Sequence, residues 1–366
     1  MRARARPTTG AGLLAAVLAI GVSACGGTAH AGGRTRPPAS SSAGGRAHGV
    51  VSLTLGSARR AVPRGFVGLS MEFQAVRAYT GDDPTAVNPV FEALIRNLDP
   101  GQSPVLRIGG DSTDTSWVPA PGVTPPRFES YPITPGWLAT TAALARGVDA
   151  KMILGLNLAA NEPALDAAEA RAYLSAFGRA RIEALEIGNE PNLYASIAQF
   201  QLPDGKSVTP RAHSFGPARY ERQIQRTMTA LPRVRPAWAF AGPALAAGEQ
   251  AAGAGKWLTA VPGFLREQPA VRVLTVHRYP QKNCYTGPGS PQYPTIAHLL
   301  SDYSTRQLAD GVARWVTIAR AQGRTVRIDE LNSAACRGRS GVSNTFASAL
   351  WATDVLFSLA NVGVGG

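Results

Sequence analysis

Short apolar runs alternate along this chain with segments of helical period. After an opening strand at Val50–Leu55, Gly65–Phe73 reads as a strand ending in Met71-Glu72-Phe73, followed by a helix at Pro89–Leu98. Val105–Ile108 is the next strand and leads into Gly109-Gly110-Asp111-Ser112-Thr113-Asp114; Trp137–Arg146 is a helix. Lys151–Leu158 is the third strand of the repeat and Ala164–Gly178 its helix. Ala184–Gly188 is the fourth, ending at Asn189-Glu190, with a helix at Pro217–Leu231. Ala237–Ala241 is the fifth, followed by a helix at Lys256–Glu267 that Pro262 is expected to interrupt or kink. Val271–Val276 is the sixth, ending in His277-Arg278-Tyr279, with a helix at Ser304–Ala321. Thr325–Ile328 is the seventh, ending at Asp329-Glu330, with a helix at Thr345–Ala360.

Strands that alternate with helices imply parallel β-α units. Seven such units fit an α/β fold of the (β/α)8 TIM-barrel type better than a doubly wound sheet, and Gly109-Gly110 opens no Gly-x-Gly-x-x-Gly turn. The eighth strand is due where the sequence reaches Val362-Gly363-Val364-Gly365-Gly366, so the barrel reads as truncated at strand eight, a fragment. Residues 49–366 form this barrel.

The pattern places two glutamates after strands, Glu190 after the fourth and Glu330 after the seventh. Barrel enzymes build their sites from the strand ends of one face. Two carboxyl groups about 5–5.5 Å apart there hydrolyse a glycosidic bond with retention, one as acid/base and one as nucleophile. Asn189 is suited to bond the sugar 2-hydroxyl; Asn189-Glu190-Pro191 also fits a helix start with Asn as N-cap. Asp329 is the alternative acid to Glu330, and strand alternation predicts that only one of them faces the barrel axis. His277 and Tyr279 share one side of the sixth strand; Tyr279 is placed to bond the nucleophile and His277 to contact sugar hydroxyls. Glu72, Asp111 and Asp114 are further candidates for sugar hydroxyls, the two aspartates equally for capping, and Trp117 for stacking on a ring. Scattered histidines without His-Glu-x-x-His predict no metal site, and no Gly-x-Ser-x-Gly elbow marks a serine hydrolase. The chemistry needs no cofactor.

The first 48 residues change the picture of where the protein works. Arg2, Arg4 and Arg6 precede an apolar stretch from Leu13 to Val22, and Val22-Ser23-Ala24-Cys25 resembles a bacterial lipobox. Residues 1–24 are thus a lipoprotein signal peptide, with Cys25 as the lipidated residue, against an ordinary secretory signal. Residues 25–48, rich in Gly, Ser, Pro and Arg, are a flexible linker. The protein is expected to be extracytoplasmic, lipid-anchored or secreted, and to meet the membrane only through Cys25. Outside the cytoplasm the remaining pair, Cys284 and Cys336, is expected to form a disulfide joining two loops beside the site, against two free thiols. Net charge is +13, of which six arginines before residue 49 supply six, leaving +7 on the barrel. Such a balance can attract acidic sugars, but also nucleic acid or anionic cell-wall polymers, and no nucleic-acid motif accompanies it.

These residues in this order resemble glycoside hydrolase family 79, the β-glucuronidase and heparanase group. The resemblance rests on Gly68-Leu69-Ser70-Met71-Glu72-Phe73, Leu106-Arg107-Ile108-Gly109-Gly110-Asp111-Ser112, Glu186-Ile187-Gly188-Asn189-Glu190-Pro191-Asn192, His277-Arg278-Tyr279-Pro280 and Asp329-Glu330-Leu331-Asn332-Ser333 through Trp351. It implies retention, with Glu190 as acid/base and Glu330 as nucleophile, on β-glucuronides or related uronic-acid-containing β-linked glycans. It also implies a C-terminal β-sandwich, absent from this sequence, that the opening strand would join. The family grips the uronic-acid carboxylate largely with residues after strand eight. The alternatives are a β-glucosidase- or β-galactosidase-like hydrolase with the same mechanism, and a non-catalytic polysaccharide-binding surface lipoprotein.

Overall fold

Seven parallel strands curl into a nearly closed barrel with helices outside. A computed structural model describes residues 61–128, 131–202, 204–246, 254–284 and 286–366. The opening strand at 50–55, the signal, the linker and Cys25 lie outside the described residues. The barrel strands are β1 (Gly68–Glu72), β2 (Val105–Gly109), β3 (Lys151–Leu156), β4 (Ile182–Ile187), β5 (Phe240–Ala246), β6 (Val271–Arg278) and β7 (Thr325–Leu331). They lie in sequence order, each hydrogen-bonded in parallel to the next. The long outer helices are α1 (Pro89–Leu98), α2 (Pro135–Gly147), α3 (Pro163–Phe177), α4 (Pro217–Ala230), α5 (Ala254–Glu267), α6 (Arg306–Arg320) and α7 (Phe346–Val362). Among the described residues no helix is long and apolar enough to cross a membrane.

Local signals explain the helix starts. Asn88 accepts from the N–H groups of Val90 and Phe91, and Thr134 from that of Trp137; in both cases proline follows the cap. Such a cap stabilises a helix by about 1 kcal/mol, and proline costs nothing at a first position that needs no donor. Gly363 in the left-handed region closes α7.

Three expectations need correction. The fifth strand is Phe240–Ala246, not Ala237–Ala241. Gly242-Pro243 reads as a break, yet β5 runs through it because the register against β6 shifts between Leu274 and Val276, leaving Pro243 and Ala244 opposite Thr275. Proline is tolerated at such a bulge, and the Ala244 N–H donates to Thr275 Oγ1 at 3.0 Å. Helix α5 contains Pro262 and is not interrupted. The proline costs about 3 kcal/mol, but burial of Trp257, Val261, Phe264 and Leu265 returns about 1.5–3 kcal/mol each. Strands six and seven extend to Arg278 and Leu331, so His277, Asp329 and Glu330 lie in the sheet itself.

The core has two parts. Most of it fills the space between strands and helices, with Leu106, Ile108, Leu154, Leu185 and Leu274 fully buried. A smaller layer inside the barrel takes one residue from each of five strands: Val105, Ile153, Ala184, Ala241 and Val273. By the twofold alternation of strands, the next inward positions are Arg107, Glu186 and Thr275, all buried. The apolar plug therefore carries a polar layer, on which the strand-end residues stand.

Candidate active site

Four strand ends converge on one ion network. Arg107, from the middle of β2, has almost no exposed side-chain surface and touches three carboxylates. Its Nε donates to Glu186 Oε2 at 2.7 Å and lies 3.4 Å from Asp329 Oδ2, while Nη1 donates to Glu330 Oε2 at 3.0 Å. Nη2 donates to Asn189 Oδ1 at 2.9 Å. Burial opposes this charge, but the Glu186 and Glu330 carboxylates hold the guanidinium firmly protonated.

Glu330 sits at the end of β7, directly across the ladder from His277 on β6. Tyr279 donates to Glu330 Oε1 at 2.6 Å. Burial favours the neutral acid, but the charges of His277 and Arg107 and the Tyr279 hydrogen bond outweigh it and bring Glu330 down to about 2. The carboxylate is thus ionised and fixed in orientation. Burial and the Glu330 charge together push the Tyr279 hydroxyl up, so it stays a donor.

Glu190 stands on a turn bent tightly back from β4. Gly188 has φ 80°, and a Cβ there would meet the Tyr194 hydroxyl at 2.7 Å. Glu190 itself adopts φ 47°, ψ 50°, which costs a non-glycine residue roughly 1–2 kcal/mol. Its N–H donates to Ala244 O at 3.0 Å, and Asn192 bonds Ala246 through both amide atoms. Beneath the turn, buried Asp114 accepts from Tyr194 OH at 2.6 Å, from Asn189 N at 3.4 Å and from Ala159 N at 3.3 Å. These bonds hold the strained conformation.

His277 lies between the two glutamates. Its Nδ1 is 2.9 Å from Glu190 Oε1 and 3.5 Å from Glu330 Oε2. Burial would lower its basicity, but the Glu330 charge and the Glu190 hydrogen bond raise it to about 9. Ligand-type atoms of Glu190, His277 and Glu330 all fall within 4.8 Å of one another. Arg107 and the donors on both carboxylates make this an occupied hydrogen-bond network rather than an open coordination sphere.

The other expected residues have definite places. Asn189 is buried, and its Nδ2 donates to Asp111 Oδ1 at 3.2 Å. Asp111 is solvent-exposed at its surface, with protein atoms crowded about its carboxyl group. Desolvation there, then the charges of Glu190, Glu72 and Glu330, push it up to about 7. Glu72 accepts from the N–H groups of Asp111 and Ser112 and from the Ser112 hydroxyl, so its carboxylate clamps the turn after β2. Asp114 supports the β4 turn from below, and Trp117 is buried.

Asp329 and Glu330 both face inward, against the alternation expected of them. Between Thr275/Arg327 and His277/Glu330 the register advances two residues on β6 and three on β7. That extra residue turns two successive side chains to one side. Cys284 and Cys336 form a disulfide, Cα atoms 6.0 Å apart, just beyond a short ladder of Gln281–Lys282 with Ala334–Ala335. It fastens the loops that follow Tyr279 and Glu330.

Sequence reasoning passed over Arg107, Glu186 and Thr275 as functional positions. The signal was present: a charged residue inside an otherwise apolar strand must be paired, and Val105-Leu106-Arg107-Ile108 and Ala184-Leu185-Glu186-Ile187 each carry one.

Fold and site together define a (β/α) barrel with a hydrogen-bonded carboxylate pair at the ends of its fourth and seventh strands. No family model matches the chain. It is similar to a β-glucuronidase of Neurospora crassa, 26% identical over 330 residues, covering 82% of this chain and 55% of that protein. Among solved structures it is similar to a 4-O-α-L-rhamnosyl-β-D-glucuronidase from Fusarium oxysporum, TM-score 0.56 at 22% identity over 83% of this chain and 62% of that one. It also resembles a family 51 arabinofuranosidase from Xanthomonas axonopodis, TM-score 0.52 at 14% identity over 83% of this chain and 66% of the other. The chain spans little more than half the length of the curated relative. It shares its barrel fold with these glycoside hydrolases.

Proposed function

We propose that this chain is the barrel of a retaining glycoside hydrolase that cleaves β-glucuronides or related uronic-acid-containing glycans. The observation that carries the reading is the pair Glu190 and Glu330, whose carboxylate oxygens lie within 4.8 Å of each other on separate strand ends. So close an approach accords with the shorter carboxyl separation of retaining enzymes, in which the second carboxylate attacks the sugar directly. Glu330, ionised and steered by Tyr279 and Arg107, attacks the anomeric carbon. Glu190 protonates the departing oxygen, then draws a proton from the water that releases the sugar. The developing positive charge on the ring meets an anionic pocket whose ions are already in place, so little reorganisation accompanies the reaction.

Uronic-acid preference and membership of glycoside hydrolase family 79 rest on the strand-end motifs, with the Neurospora β-glucuronidase in support. Export rests on residues 1–24, and anchoring on Cys25; residues 25–48 would act as a tether to the barrel of residues 49–366. The test is proton NMR of the first-formed sugar from aryl β-glucuronide, β-glucoside and β-galactoside. The reading expects the β-anomer first, from the glucuronide. The α-anomer first would exclude retention, and faster turnover of a neutral glycoside would exclude uronic-acid preference.

A further inference from the structure

Below the two glutamates lie two more acids that the double displacement does not use. Glu186 Oε2 accepts from Arg107 Nε at 2.7 Å and Glu186 Oε1 from Thr275 Oγ1 at 2.9 Å. Asp329 is wholly enclosed, its side chain 0% exposed, and among the described residues no N–H gives either of its oxygens a well-formed hydrogen bond. Two neighbouring carboxyl groups in a dry interior do not both ionise. The one with two donors keeps its charge, and the one without keeps a proton. Above it, Asp329 Oδ1 faces His277 Nε2 across 3.5 Å, and among the described residues that nitrogen has no other partner. On the far side of the ring, Nδ1 is 2.9 Å from Glu190 Oε1.

Building on the glycosidase reading, we infer that Asp329 is a neutral carboxylic acid that acts as a positioning residue. Its carbonyl oxygen faces the Nε2–H of His277, its hydroxyl faces Glu186, and the imidazole is thereby held with an Nδ1–H aimed at Glu190. The chain of donors runs from Asp329 to Glu186 at the floor and from His277 to Glu190 at the mouth. The charged groups around the ring are Arg107 from β2, Asp111 after β2, Glu186 and Glu190 from β4 and its turn, and Asp329 and Glu330 from β7. Burial and the Glu186 charge hold Asp329 well above the usual carboxylate range, as the assignment requires. In function, the Nδ1–H supports the Glu190 carboxylate each time that residue has given up its proton, so the floor of the barrel acts on the acid/base through the ring.

Asparagine is neutral, has nearly the same shape, and supplies both the carbonyl facing Nε2 and a donor facing Glu186. Leucine supplies neither. The experiment uses protein labelled with 15N-histidine, in which the His277 signals are assigned by their loss in His277→Gln. The imidazole nitrogens are followed by NMR from pH 5 to 10 in wild type, Asp329→Asn and Asp329→Leu, with Asp329→Ala in place of Leu if the latter is insoluble. Wild type and Asn are expected to keep Nε2 protonated throughout and to titrate at Nδ1, whereas Leu gives mixed tautomers with an altered midpoint. On an aryl glycoside, Leu is expected to lose about tenfold or more in kcat at little changed KM, with Asn rescuing most of it. If Asn disturbs His277 as much as Leu does, Asp329 works as a charge and the inference is wrong. If neither disturbs it, Asp329 is filler and the inference is equally wrong. A wild-type protein without turnover would count against the glycosidase reading alone, since the NMR result still decides the state of His277.

Discussion

Arg107 Nη1 donates to Glu330 Oε2 at 3.0 Å, across 223 positions of sequence and between strands that share no ladder. β2 is the second strand of the sheet and β7 the last, so this contact reaches across the barrel from one end of the sheet to the other. The same guanidinium binds Glu186 and Asn189. One side chain therefore fixes the nucleophile candidate, the floor acid and the residue preceding the acid/base candidate.

Removing that side chain should damage the fold as well as the site. Arg107→Met leaves the Glu186 carboxylate buried without its counter-charge, and breaking a buried ion pair from one side costs about 3–5 kcal/mol. Urea unfolding should show a loss of this size. Arg107→Lys should recover little of it, because one ammonium cannot reach the three directions the guanidinium serves.

Tyr279→Phe keeps the ring and deletes the hydrogen bond to Glu330. Hydrogen bonds to charged groups contribute about 1.5–3 kcal/mol, so kcat should fall roughly 10- to 150-fold with KM little changed. Steady-state kinetics on an aryl glycoside would check the split.

Glu190→Gln should lower kcat by about 10²–10⁴ on substrates whose leaving group needs protonation. It should matter far less in the first step for a good leaving group such as dinitrophenolate. A Glu190 that acted only in binding would show no such dependence on the leaving group.

Stability should decline between pH 5 and pH 9. His277 is raised to about 9 in the folded protein, so its contribution is complete below its unfolded value near 6.5 and is lost as pH rises through about 9. Burial raises Asp114 and Asp166 to about 7, so the folded state binds protons that the unfolded chain gives up, and stability falls as pH climbs from about 4 through 7. Glu330, lowered to about 2, contributes fully above its unfolded value near 4.3 and loses that contribution only in strong acid. Thermal melts should therefore peak near pH 4, and Asp166→Asn should flatten the slope between pH 4 and 7.

Replacing both Cys284 and Cys336 with serine releases a cross-link across 52 positions. The chain-entropy argument puts the loss at about 2–4 kcal/mol. Because the bridge joins the loops after Tyr279 and Glu330, activity should become more heat-sensitive than the fold, measured as inactivation against unfolding.

The barrel was legible because parallel strands buried on both faces read as apolar runs and their helices carry proline and cap signals at the start. The errors fall where local chemistry is overridden by tertiary contacts. Gly242-Pro243 reads as a strand end, and only the Thr275 hydroxyl opposite makes the bulge tolerable. Pro262 reads as a helix break, and only the apolar face beneath it keeps α5 continuous. Glu190, Glu330, Asn189, His277 and Tyr279 were legible as strand-end polar residues, and the structure brings all five together. Glu72 was legible as an acid near the mouth but not as a clamp for the turn after β2, since that depends on backbone N–H groups whose direction sequence does not reveal; the capping role open to Asp114 is the one it takes, at the turn after β4. Alternation leaves room for only one of Asp329 and Glu330 at the barrel axis, and a one-residue bulge in β7 brings both there.

The most direct test of the central claim is intact mass and peptide mapping after incubation with a fluorinated β-glucuronide inactivator that traps a glycosyl-enzyme. The account predicts a single adduct on Glu330, absent in Glu330→Gln. An adduct on Glu190 or Asp329, or inverted product formed by active enzyme that never takes the label, would contradict it.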